Sequence, residues 1–178
     1  MIMMDSIEPD RDIIIRISQN FKEIDFSPSR LKKLVENTCN RISEKNPATG
    51  TAKYEVSIAI VDDADFRELN RRYLGRKGTS DCLSFDLSDD KSDSSKLFEI
   101  IVNGRVAVNQ ANLRGHSSEA ELALYVTHGL LHNLGFDDST ETKAKKMHDI
   151  EDEILQQNGY GIVYNKNLSV REYKARKN

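Results

Sequence analysis

The chain has 178 residues and a formal net charge of −3 at neutral pH. This length suits one domain with a buried core, and no apolar run is long enough to cross a membrane. The net charge argues against broad, non-specific binding of nucleic acid, but a local basic cluster could still hold RNA.

The cysteines and the start of the chain favour a cytoplasmic protein. Cys39 and Cys82 lie far apart and lack the CxxC spacing of a metal site, so both are predicted to be reduced thiols. The segment 1–11 has neither the basic nor the apolar region of a secretory signal.

Strand-like and helical patterns alternate along the chain. Strands are predicted at 12–18, at 54–61, in a short stretch near Cys82, and at 97–103. The first helix follows Ser27 and Pro28, an N-cap and a first-turn proline. The second is capped by Asp62 or Asp63 and has four predicted core contacts: Phe66, Leu69, Tyr73 and Leu74.

The second half of the chain is predicted to be mostly helical. A short helix covers 104–112, and Ser118 with Glu121 forms a capping-box pattern before a helix that is apolar on nearly every side. The last helix ends near Asn158. These patterns predict one α+β domain over 1–178, with a small mixed four-stranded sheet and about five helices. Its core covers about 12–160, and the tails 1–10 and 166–178 are predicted to fray.

The apolar central helix carries two histidines, His128 and His132, four residues apart. Residues at this spacing share one helix face, so both imidazoles can reach one ion. Gly135 ends the helix, and Asp137 and Asp138 follow it. Two imidazoles and a carboxylate, with a fourth position left to water, are typical of a catalytic zinc site.

Two interpretations of the histidines are open. They are either core side chains bonded to backbone or carboxylate groups, or metal ligands at the end of the central helix. Asp138 is the predicted third ligand, with Asp137 or His148 as alternatives. In HExxH metalloproteases a glutamate follows the first histidine, whereas Gly129 stands here, so a peptidase of that kind is not expected.

An arginine-rich segment precedes the third strand. Arg67, Arg71, Arg72 and Arg76 either form a solvated helix face or contact RNA phosphates, if the fold brings them near the histidines. His116 lies in a predicted turn.

The motifs together resemble the YbeY-type endoribonucleases of bacterial rRNA maturation. The resemblance rests on His128-Gly-Leu-Leu-His132-Asn-Leu-Gly135-Phe136-Asp137-Asp138, on Leu69-Asn-Arg-Arg-Tyr73, and on Thr79-Ser-Asp-Cys-Leu-Ser-Phe85. It covers roughly residues 54–157.

The resemblance implies a metal-dependent endoribonuclease specific for single strands, acting in 16S rRNA 3′ end maturation and ribosome quality control. It implies one Zn²⁺, or Mn²⁺ or another divalent ion, and the spacing of the residues predicts His128, His132 and Asp138 as the ligands. The partner would be rRNA in the small ribosomal subunit, with no DNA expected. The predicted catalytic residue is Arg76, and the predicted substrate-binding residues are Arg71, Arg72, Ser84 and His116.

The chain departs from the family pattern at the site itself, because Asp138 stands where the family has a histidine. A carboxylate leaves about +1 on the ion and its ligands, against about +2 for three histidines. This predicts a more alkaline rate optimum or a harder metal such as Mn²⁺. Two other functions stay open: a ribosome-assembly RNA-binding factor with weak or lost catalysis, and a metal hydrolase of another substrate.

Overall fold

The computed structural model describes residues 12–45, 53–89 and 95–166. Its elements are β1 (Ile13–Gln19), α1 (Pro28–Glu44), β2 (Lys53–Val61), α2 (Asp63–Leu74), β3 (Cys82–Asp86), β4 (Ser95–Asn103), α3 (Gly104–Arg114), α4 (Ser118–Asn133) and α5 (Glu141–Gln157). The predicted α+β class, with a mixed four-stranded sheet and about five helices, is confirmed. Apart from Lys166, the predicted tails lie outside the described residues, and a single domain over the whole chain stays a prediction.

The strands lie in the order β1-β2-β4-β3. β2 pairs in parallel with β1 on one side and with β4 on the other, whereas β3 runs antiparallel to β4. Alternating side chains of β2 point to opposite faces, and Val56, Ile58 and Ile60 are fully buried on one of them.

Helices cover both faces of the sheet. α1, α3, α4 and α5 share a large core with the face that carries Val56 and Ile100. α2 covers the other face, where Phe66 packs with Leu83 and Ile101 in a smaller cluster. The prediction that Tyr73 and Leu74 are core residues is wrong. This smaller cluster extends along α2 as far as Leu69, and the side chains of Tyr73 and Leu74 are exposed.

α4 is the central helix, with 11 of its 16 residues buried. It packs between the sheet and its helical neighbours, which explains why its sequence is apolar almost all round. The predicted capping box is shifted by one residue: Ser117 is the N-cap, and its side chain accepts a hydrogen bond from Ala120 N. Among the helices in the described ranges, none is long and apolar enough to span a bilayer.

Candidate metal centre

α4 and the turn after it bring three ligand-type side chains together. His128 and His132 lie one turn apart near the end of the helix. Gly135 has a φ of +94°, a left-handed conformation that favours glycine, and its N–H donates to the carbonyl of His132 at 3.0 Å. This reversal of the chain carries Asp138 back toward both imidazoles.

The three ligand atoms form a triangle of the size that a metal ion requires. Nε2 of His128 lies 3.1 Å from Nε2 of His132. Oδ2 of Asp138 lies 3.7 Å from the first nitrogen and 3.6 Å from the second. Tetrahedral zinc ligands at their usual bond lengths lie about 3.3 Å apart. The residues therefore fit a divalent ion, with one coordination position left on the open side.

The far nitrogen of each imidazole has an acceptor, and this fixes the tautomer. Nδ1 of His128 lies 2.7 Å from Oε1 of Glu151, and Nδ1 of His132 lies 3.1 Å from the carbonyl oxygen of Phe136. When both Nδ1 atoms carry the proton, both Nε2 atoms present lone pairs to one another. Lone pairs at 3.1 Å repel unless a proton or a metal ion lies between them, and the Asp138 carboxylate beside both nitrogens favours the metal ion.

Glu151 is fully buried and bonded to two histidines, His128 and His148. Burial alone raises the pKa of Glu151, but the hydrogen bonds from both imidazoles outweigh it and hold the pKa below its usual value. Burial lowers the pKa of His128, and its hydrogen bond to Glu151 reverses that shift to a net rise. Glu151 is therefore an anion that orients His128.

Asp137 does not point to the histidines. It accepts hydrogen bonds from Lys143 at 2.7 Å and from the backbone N–H of Ser139 at 2.9 Å. These contacts hold the pKa of its carboxyl well below the usual range, with the Lys143 hydrogen bond as the largest cause. Asp137 fixes the turn, which leaves Asp138 as the carboxylate near the site.

A second group of possible ligands consists of His128, His148 and Glu151. Its contacts are ordinary hydrogen bonds, with Nδ1 of His128 and of His148 at 2.7 and 2.8 Å from the two carboxylate oxygens. Because these atoms already satisfy one another, the group needs no ion. The triangle on Asp138 is the stronger candidate.

The packing of α4 explains the glycine after His128. A Cβ on Gly129 would lie 3.1 Å from Cγ2 of Ile100 and 3.4 Å from Cβ of Ser84. The helix therefore lies close to β3 and β4 at this point, and a glutamate would have to point into the sheet. The expectation that this is not an HExxH-type site rests on packing as well as on sequence.

A cavity of about 540 Å³ opens beside His128. Its wall includes the loop before β3, through Thr79, Ser80 and Asp81. Thr79 is held by Asp63 at the start of α2 and by Asn103 at the end of β4, at 2.7 and 2.8 Å. The hydrogen bonds from Thr79 and Asn103 lower the pKa of Asp63.

The three arginines predicted to act on substrate lie on the surface. Arg71 and Arg72 are at the end of α2, and Arg76 is in the loop beyond it. Arg71 is paired with Glu68 at 2.7 Å. Within the described ranges, none of the three is among the residues that line the cavity. Their roles stay predictions.

The other two predicted substrate residues lie at the edges of the site. Ser84 is on β3, against the close approach of Gly129. His116 is in the turn after α3, where its Nε2 contacts the buried carboxylate of Glu121. The structure does not place His116 on the cavity wall within the described ranges, and the functions of both residues stay predictions.

Three charged residues that line the cavity, Asp81, Arg114 and Glu151, were not among the predicted site residues. Glu151 follows Met147 by four residues and precedes Ile154 by three, so its place on the core stripe of α5 was a usable signal. Arg114 lines the cavity from the last residue of α3. A basic residue at a helix C-terminus is common, so the sequence held no signal for it.

Fold and site together define a class: an α+β protein whose central helix ends in two histidines and a carboxylate able to hold a divalent ion. The chain belongs to the endoribonuclease YbeY family, whose family model matches residues 16–159. The resemblance seen in the sequence is confirmed. Members of this family are endoribonucleases, hydrolases of RNA phosphodiester bonds.

Individual relatives agree with this assignment. Endoribonuclease YbeY of Shouchella clausii (strain KSM-K16) is 34% identical over 147 residues, covering 76% of this chain and 91% of the relative. Endoribonuclease YbeY of Staphylococcus aureus (strain bovine RF122 / ET3-1) is 39% identical over 116 residues, covering 61% and 74%. The solution structure of TM1509 from Thermotoga maritima shares the fold, with a TM-score of 0.50 at 23% identity over 83% of this chain and 95% of that one.

Proposed function

We propose that this protein is a metal-dependent endoribonuclease that cleaves single-stranded RNA in 16S rRNA 3′ end maturation and ribosome quality control. The proposed metal dependence is supported by one observation: the two Nε2 atoms lie 3.1 Å apart, and the Asp138 carboxylate faces them. Family membership supports RNA as the substrate. The proposed partner is rRNA of the small subunit, and the proposed location is the cytoplasm.

His128, His132 and Asp138 would hold the ion, with Zn²⁺ as the first choice for two imidazoles and one carboxylate. When bound, the ion would polarise a phosphoryl oxygen and activate a water molecule. Glu151 keeps Nδ1 of His128 protonated, so that Nε2 stays available to the ion. The side chains of His132 and Asp138 are 29% and 38% exposed, which leaves their side of the site open to a strand.

Five further residues belong to this proposal. Arg76 is proposed to stabilise charge during the reaction, and Arg71 and Arg72 to hold phosphates of the approaching strand. These three side chains are exposed and able to reach a long ligand. Ser84 and His116 are proposed to support substrate binding from β3 and from the turn after α3.

Metal analysis combined with RNA cleavage tests the proposal. Purified wild type is expected to contain about one divalent ion per chain and to cleave single-stranded RNA but not DNA of the same sequence. His128→Ala and Asp138→Ala should lose both metal and cleavage. Asp137→Asn is the matched control: it changes the neighbouring carboxylate, keeps an oxygen for Ser139, and should keep both properties.

Other results would indicate a different function or a different set of ligands. RNA binding without cleavage by metal-loaded wild type would indicate a ribosome-assembly factor and contradict the proposed activity. Cleavage of an ester or peptide substrate, with RNA left intact, would indicate another metal hydrolase. Full metal content in Asp138→Ala would remove Asp138 from the ligand set.

A further inference from the structure

Arg114 is an arginine in the cavity beside the histidines, and the proposed function gives it no role. It is the last residue of α3, and its side chain is 28% exposed. Among the residues that line the cavity in the described part of the chain, it is the one lysine or arginine. A permanently charged, planar group in this place matches a phosphate.

Two neighbours hold the guanidinium in place. Nη1 of Arg114 lies 3.4 Å from Oε1 of Glu121, which has no exposed surface. The same guanidinium lies 5.6 Å from the ring centre of Tyr164. Asp152 fixes Tyr164 by accepting a hydrogen bond from its backbone N–H at 2.8 Å. The position of the arginine is therefore set by Glu121 on α4 and by Tyr164 in the segment after α5.

This arrangement leaves part of the donor set of Arg114 free. A guanidinium has five N–H donors. Within the described ranges Nη1 of Arg114 is buried against Glu121, whereas no hydrogen bond within the protein occupies Nε or Nη2. A fixed arginine with unused donors, lining a cavity, is suited to bind an oxyanion in a bidentate manner.

The charges around the cavity allow an anion at Arg114. Its other two permanent charges are Asp81 and Glu151. Glu151 accepts hydrogen bonds from His128 and His148, and Asp81 accepts a hydrogen bond from Cys82 N at 2.7 Å, so both carboxylates already have donors. Arg114 is therefore the group in the cavity to which a phosphate would be drawn.

We infer that Arg114 binds a phosphate of the RNA strand next to the one at the histidines, and so sets the position of the strand in the cavity. This inference rests on the proposed function, because it takes RNA as the ligand. It differs from the sequence prediction, which assigned phosphate binding to the arginines of α2.

The test is the salt dependence of RNA binding, measured by fluorescence anisotropy of a labelled single strand in EDTA, which keeps the strand intact. Arg114→Gln should bind roughly tenfold more weakly at low salt. The slope of log K against log salt should become less negative by about 0.7, the value of one lost contact to a single strand. Arg114→Lys should keep the slope.

Arg105→Gln is the matched control. Arg105 lies in the first turn of the same helix, donates to Glu23 at 2.7 Å, and lies 5.0 Å from the ring centre of Phe21. It does not line the cavity within the described ranges, so its removal should leave the slope at its wild-type value. If Arg114→Gln folds poorly because Glu121 loses its partner, the double variant Arg114→Gln/Glu121→Gln removes both charges and should show the same loss of slope.

A second titration, with inorganic phosphate and observed through arginine side-chain NMR signals, separates this inference from the proposed function. RNA cleavage by the wild type, with equal slopes in Arg114→Gln and Arg105→Gln, would overturn the inference and leave the function standing. No RNA binding or cleavage, with phosphate binding lost only on removal of Arg114, would overturn the function and support an anion site. If the wild type neither binds nor cleaves RNA, and phosphate binding does not depend on Arg114, the inference and the proposed function are both overturned.

Discussion

Nδ1 of His128 lies 2.7 Å from Oε1 of Glu151, a carboxylate that is fully buried under the candidate metal centre. This contact determines which nitrogen of His128 carries the proton, and therefore which nitrogen can bind an ion. Carboxylates that orient a ligating histidine typically contribute 10- to 100-fold to metal affinity.

Glu151→Gln is therefore expected to weaken metal binding by roughly 10- to 100-fold while all three proposed ligands remain. The glutamine amide can donate to Nδ1 of His128, which favours the tautomer with its proton on Nε2. Chelator competition with Zn²⁺ measures the affinity. Glu153→Gln removes an acid from the same helix, where it pairs with Arg41 at the surface, and should bind the ion like wild type. Equal affinities in the two variants would contradict this role.

The fold was predictable because its signals are local. β2 alternates buried and less buried residues, and α4 is apolar all round because it is enclosed by the sheet and three helices. Ser27 was predicted as an N-cap, and Asp62 as one of two candidates with Asp63, because such residues bond to the backbone three positions on. The start of α4 was misplaced by one residue because Ser117 and Ser118 are chemically equal caps, and only packing selects between them.

The candidate site was predictable only where its residues are close in sequence. The spacing of His128 and His132 on one helix indicates a shared metal ion. Gly135 indicates the turn that brings Asp138 back toward the two histidines. Arg114 is different, because its place in the cavity depends on contacts with residues distant in sequence. These are Glu121 on another helix and Tyr164 near the end of the described chain. Such long-range approach leaves no periodic pattern in the sequence.

The carboxylate at position 138 should set the pH dependence of the reaction. With Asp138 as ligand, the site keeps about one unit of positive charge less than with three histidines, so water at the ion is a weaker acid. Asp138→His is therefore expected to shift the part of the pH–rate profile in which the rate rises with pH to lower pH. Rates measured across a pH series on zinc-loaded wild type and variant test this, and superimposable profiles would show that Asp138 has no such influence.

Asp63 should make stability depend on pH in the acid range. Its pKa is lowered in the folded protein by hydrogen bonds from Thr79 and Asn103, so below its usual pKa of 3.8 the unfolded chain binds protons that the folded chain does not. The resulting stabilisation is present above that value and is lost as the pH falls through the folded pKa. The free energy of unfolding, measured in urea, should fall more steeply on acidification for wild type than for Asp63→Asn.

Thr79→Val provides the internal check on this linkage. It removes the largest cause of the shift while Asp63 remains, so its acid dependence should lie between those of wild type and Asp63→Asn. Three parallel curves of unfolding free energy against pH would mean that this network does not link proton binding to folding.

Introducing the protease-type glutamate should damage the fold without creating a peptidase. In Gly129→Glu the new Cβ would lie 3.1 Å from Ile100, on a strand that is buried on both sides. Overpacking of this kind typically costs about 1–3 kcal/mol, and burial of a carboxylate without a partner adds to that. The measurement is the free energy of unfolding in urea, with Gly78→Glu as control, because a Cβ at Gly78 meets nothing within 4 Å. The control should unfold like wild type, and an equally stable Gly129→Glu would show that α4 can move away from the sheet.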